Sequence, residues 1–80
     1  MISITANIAE GFSRYHYKDR LRFYYDARGS LSEVQSELLD AQKVGLLTKE
    51  LLEKAWIQTE RVHLLLGGLI RKTDSLSKNT

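Results

Sequence analysis

The chain has 80 residues, of which 42% are hydrophobic and 28% charged, with a net charge of +2 and neither cysteine nor proline. That length allows one domain with a modest core, and without cysteine there is no disulfide or thiolate metal site. Two histidines cannot build a metal cage alone, no apolar run approaches a membrane span, and Met1 leads into a polar-studded segment unlike a signal peptide. The expected protein is cytoplasmic, without a cofactor, and draws extra stability from association with other chains.

The first segment, Ser3-Ile4-Thr5-Ala6-Asn7-Ile8-Ala9-Glu10-Gly11, is read as a helix. In that reading Ser3, Asn7 and Glu10 form one polar stripe, while Ile4, Ile8 and Phe12 form an apolar one. The alternation of Ile2, Ile4, Ala6 and Ile8 would also suit a strand, but no partner strand exists, and Gly11 suits a left-handed residue that ends a helix. The polar stripe is expected to be a buried hydrogen-bond network that fixes the helix crossing, with Glu10 paired to Arg14 or Arg22. The alternative is a polar site facing a ligand.

A second helix follows from about Tyr17 to Val44, roughly 40 Å long. Its seam is Tyr24, Ala27, Leu31, Val34, Leu38 and Ala41, at unbroken spacings of three and four. Gly45 supplies the stop, Leu46 is placed to fold back over the last turn, and Thr48 is the N-cap of a third helix. That helix repeats the pattern in Leu52, Ala55, Thr59, Val62, Leu66 and Leu69, widened by Leu51, Trp56, Leu65 and Ile70. A short connection makes the pair an antiparallel hairpin over residues 17 to 72, and residues 74 to 80 read as a frayed tail. The apolar face of the third helix is wider than one neighbour can bury.

Charge is distributed in blocks. Residues 12–30 hold five basic against two acidic side chains, residues 31–60 three against six, and residues 61–80 four against one. In the first block, Arg14, Tyr15, Tyr17, Lys18, Arg20 and Arg22 interleave cations with aromatics, as stacking on bases and neutralising phosphates requires. The competing reading is a solvated junction whose tyrosines pack on the core. Gly29, Gly67 and Gly68 lie inside helices, where close helix approach is the simplest reason for them. Trp56 is expected to anchor the hairpin or a subunit interface. Gly67 with Lys72-Thr73 fails as a phosphate loop, because Arg71 replaces the required glycine and no strand precedes it. His63 has no second histidine one turn away, and nothing resembles a catalytic constellation, so no enzyme is expected.

The run Ser3-Ile4, Ala6-Asn7-Ile8-Ala9-Glu10-Gly11-Phe12, Arg14, Arg22-Phe23, Ala27, Gly29-Ser30-Leu31 and Glu33 resembles the four-helix-bundle proteins encoded within intervening sequences of bacterial 23S ribosomal RNA genes. The accessory protein of diversity-generating retroelements is similar. The resemblance implies an all-α, up-down four-helix bundle assembled as a basic homopentamer and, for the retroelement branch, RNA or DNA and a reverse transcriptase as partners. It departs from the family pattern at Thr5, where proline is usual, and at His16, where a capping serine is common. Residues 1–80 are therefore expected to be a single domain lacking the first helix: a short N-terminal helix plus a long hairpin. The alternative is a protein-interaction hairpin or remnant that binds no nucleic acid.

Overall fold

The computed structural model describes residues 4–78, which form three helices: α1 (Ile4–Ser13), α2 (Tyr17–Lys43) and α3 (Lys49–Lys78). The position expected at Ser3 lies outside the described residues. The short helix and the long hairpin are as expected, whereas a fourth helix is absent among the described residues. The three lie almost in one layer, since the Cα extents are 50 × 22 × 14 Å. α2 is the middle element, and no Cα of α1 comes within 8 Å of one in α3. The radius of gyration, 14.8 Å, exceeds the roughly 12 Å of a compact chain of this length.

The hairpin is built by local signals. Gly45, at φ 81°, takes the left-handed conformation that ends α2. Its N–H donates to the Gln42 carbonyl at 3.1 Å, and the Leu46 N–H to the Ala41 carbonyl at 2.9 Å. These two bonds close the six-to-one and five-to-two pattern of a glycine C-cap. Leu46 contributes its amide only, because its side chain remains exposed instead of folding back over the turn. Thr48 caps α3, its Oγ1 accepting from the Leu51 N–H at 3.2 Å.

The seam of α2 is buried unevenly, and the reason is the length of α1. Tyr24, Ala27 and Leu31 are buried with Leu66 and Ile70 of α3, and Ile4 and Ile8 of α1 pack against that cluster. Val34, Leu38 and Ala41, which α1 does not reach, are half-buried. Beyond the cluster, a polar contact pins the hairpin register. Gln35 Nε2 donates to Thr59 Oγ1 and to Glu60 Oε1, both at 3.0 Å, and buried Thr59 donates onward to the Trp56 carbonyl at 2.7 Å.

Four expectations are corrected. Gly11 does not end α1, which runs on to Ser13. Gly11 is buried on α2, where an added Cβ would collide with the Tyr24 ring at Cε1. The side chains on the covered face of α1 are accordingly Ile4, Asn7 and Ile8, while Phe12 is 57% exposed and meets Tyr24 only edge-on. Gly29 and Gly68 have nothing within 4 Å of an added Cβ, and Gly67 meets only the end of Arg71, so close helix approach within the chain does not explain them. The tail expected at residues 74 to 80 is helical through Lys78, because Thr73 is buried and carries α3 past Lys72. Lys78 also pairs with Asp74 at 3.1 Å, one turn back.

The glycines give a contrast within one chain. Gly11→Ala forces a methyl into a ring that has no room to move, an overpacking cost of about 1–3 kcal/mol. Gly29→Ala meets nothing and gains up to about 1 kcal/mol of helix propensity. Thermal unfolding followed by circular dichroism is expected to show a lowered melting temperature for the first and a raised one for the second, by up to about 4–8 °C.

Candidate nucleic-acid interface

Hairpin topology decides where the charges go. The start of α2 and the end of α3 lie at one end of the molecule, where a cleft of about 760 Å³ is lined by residues 15–20 and Ser77. The two basic blocks are thereby joined: Arg14, Lys18, Arg20 and Arg22 lie at the same end as Arg71, Lys72 and Lys78. At the other end the interhelical turn carries both signs, Glu37, Asp40, Glu50 and Glu53 against Lys43, Lys49 and Lys54, which leaves that end only weakly acidic.

At the basic end the arginines are held by rings and backbone. The guanidiniums of Arg14 and Arg22 lie 4.8 and 5.0 Å from the centre of the Phe23 ring. Arg20 lies 5.4 Å over Tyr17, and its Nε donates to the Arg14 carbonyl at 2.6 Å. Each such stack contributes about 0.5–1 kcal/mol at an exposed site. Cation–aromatic alternation in this segment is thus used within the chain to orient the cations. Arg28 repeats the device over Tyr25 at 4.8 Å.

The sequence-predicted residues separate into three groups. Tyr15, Tyr17, Lys18 and Arg20 line the cleft together, whereas Arg14 and Arg22 flank Phe23 and are not on its wall. Of the polar stripe, Asn7 is buried, but Glu10 is exposed and pairs with Arg14 at 3.1 Å in the open. The buried pair expected there is therefore a surface ion pair, since α1 turns Asn7 and Gly11 toward α2 and Glu10 outward; such pairs contribute about 0.3–0.5 kcal/mol. His16, Asp19 and Ser77 also line the cleft. Ser77 was not foreseeable from local sequence, because its place there depends on the hairpin register and on α3 continuing to Lys78.

A family model described as 23S rRNA-intervening sequence protein matches residues 1–68. The chain belongs to this family. The match covers α1, α2 and most of α3, including the whole basic segment after Gly11. No curated protein and no solved structure matches the chain. Among the described residues no helix is long and apolar enough to cross a membrane, and no three His, Asp or Glu side chains gather as metal ligands.

Two side chains tune the stability of this end. His16 is the N-cap of α2, with φ −88° and ψ 133°, and makes no side-chain capping bond. His16→Ser supplies the missing acceptor three residues before Asp19 and is expected to stabilise the fold by about 0.5–2 kcal/mol, read as a higher urea midpoint. Tyr24 is buried under α1, and desolvation raises its phenol above the usual value of 10.0, with Arg20 opposing. Its neutral form is the one the fold favours. That stability is complete below pH 10 and falls as the pH rises from 10 through the higher folded value. Urea unfolding between pH 8 and 11 should show this loss, and Tyr24→Phe should lessen it.

Proposed function

We propose that this chain is a non-enzymatic, oligomeric helical protein that binds nucleic acid through its basic end. Its role is accessory or structural, linked to rRNA intervening sequences or to retroelements. The observation that carries the reading is the union of the two basic blocks at one end, beside an exposed, aromatic-lined cleft. Net charge alone, at +2, would not support it. Local density does, because charges more than about 8 Å away are screened at physiological salt and the acidic end scarcely weakens the field.

Assembly has separate support. The surface of 5904 Å² is roughly 1,000 Å² more than a folded monomer of this mass exposes. Ile57, Leu64 and Leu65 are each more than half exposed on α3. A second copy is a suitable cover, and a homopentamer is the assembly the family resemblance implies. A competing reading, the protein-interaction hairpin, is favoured by one feature. An apolar groove of about 370 Å³ between Leu39, Leu52, Trp56 and Ile57 lies at the acidic end, away from the basic cleft.

Fluorescence anisotropy with labelled RNA and DNA at 50 and 200 mM salt, with the mass measured by light scattering, tests the proposal. The expected result is an oligomer that binds more tightly than about 10⁻⁴ M, with affinity falling as salt rises. The double variant Lys18→Ala/Arg22→Ala should weaken binding to every sequence and reduce the salt slope by about 2. A monomer that binds neither polymer leaves the interaction hairpin as the better reading.

A further inference from the structure

We infer that the cleft at the basic end holds an unstacked base of single-stranded nucleic acid, stacked on Tyr15, with Lys18 and Arg20 beside its phosphates. The inference rests on the nucleic-acid reading above and adds which form of polymer is preferred and which residue sets the preference.

Tyr15 differs from every other tyrosine and phenylalanine between residues 14 and 25. Tyr24 is buried, Tyr17 and Tyr25 each carry a guanidinium, and Phe23 carries two. Tyr15 is 88% exposed and touches a single ring, that of His16, perpendicular to it at 5.2 Å. Nothing in the fold depends on a large aromatic there. What the position offers is an open ring at the rim of a cleft whose volume, about 760 Å³, falls within the range of sites for small organic ligands.

The chemistry of the wall fits a nucleotide better than an isolated phosphate. Lys18 and Arg20 are cations, but Asp19 lines the same cleft and repels an anion placed against it. A nucleotide resolves that conflict, because its base carries N–H donors (the exocyclic amino group of A, C or G, the ring N3–H of U or T) that can bond a carboxylate while its phosphate stays with the cations. Only an unpaired base can do both. In a duplex the base faces are covered by their neighbours and the hydrogen-bonding edges are engaged, so a projecting ring finds no surface on which to stack.

Anisotropy with 12-nucleotide RNA and DNA single strands, and with the corresponding duplexes, separates the contributions. The wild-type chain should bind at least one single strand more tightly than its duplex, and comparison of RNA with DNA identifies the source of that strand. Tyr15→Ala should weaken single-strand binding by roughly 5- to 150-fold and change duplex binding less than twofold. Tyr15→Phe should retain the preference. Circular dichroism should be unchanged in both variants, as expected for an exposed ring. Equal weakening of single strand and duplex by Tyr15→Ala, or no weakening of either, would overturn the inference and leave the nucleic-acid reading standing. Failure of the wild-type chain to bind any of the four polymers would overturn both.

Discussion

The absence of one methyl group at Gly11 holds this architecture together. Tyr24 is the largest side chain in the core, and it is covered because the backbone of α1 lies directly on its ring. Any other residue at position 11 would lift α1 from α2 and open the cluster formed with Leu31, Leu66 and Ile70. The same contact fixes where the chain leaves α1, and so where residues 14 to 16 cross to the start of α2. The basic cleft is formed at that crossing. Packing in the core and geometry at the surface therefore depend on one helix approach.

The hairpin adds a second constraint, which is electrostatic. Along the chain the charge alternates from basic to acidic to basic, and such a pattern would largely cancel in a compact globule. Folded about Gly45, it becomes a rod with unlike ends. Gathering cations at one end is unfavourable through mutual repulsion, and the aromatic residues of the segment relieve part of it. Phe23 faces two guanidiniums and Tyr17 one, so each of these cations sits against the negative face of a ring. The rings orient the cations and lower the cost of their proximity.

Much of this was legible in the sequence wherever the deciding interaction is local. The α2 seam, the glycine stop at Gly45 and the cap at Thr48 each involve residues within about one turn of each other, and each is found where the pattern places it. Gly11 is ambiguous in the sequence because a glycine near a helix end is consistent with two roles, and the choice is made by Tyr24, thirteen residues away. The final turns of α3 are not legible for a similar reason. Their sequence has weak periodicity, and they are held by burial of Thr73 against the rest of the fold. The basic segment is legible on its own, but its partner residue Ser77 enters the cleft only through the hairpin register.

The exposed apolar side chains of α3 bear on how the basic ends could act together. Leu64 and Leu65 lie in the middle of α3 and Ile57 nearer the interhelical turn, all away from the cleft, so a second copy seated on them leaves Tyr15 and Lys18 uncovered. Symmetry then decides the outcome. A two-fold axis across the rods would put the clefts at opposite ends, each beside the acidic end of its neighbour. A rotation axis along them would gather every cleft on one rim, with the acidic ends together on the other. Only the second arrangement lets one strand engage several clefts at once, and it must overcome repulsion among the basic ends. A strand bound across the basic rim relieves that repulsion, so binding and assembly along such an axis would reinforce each other.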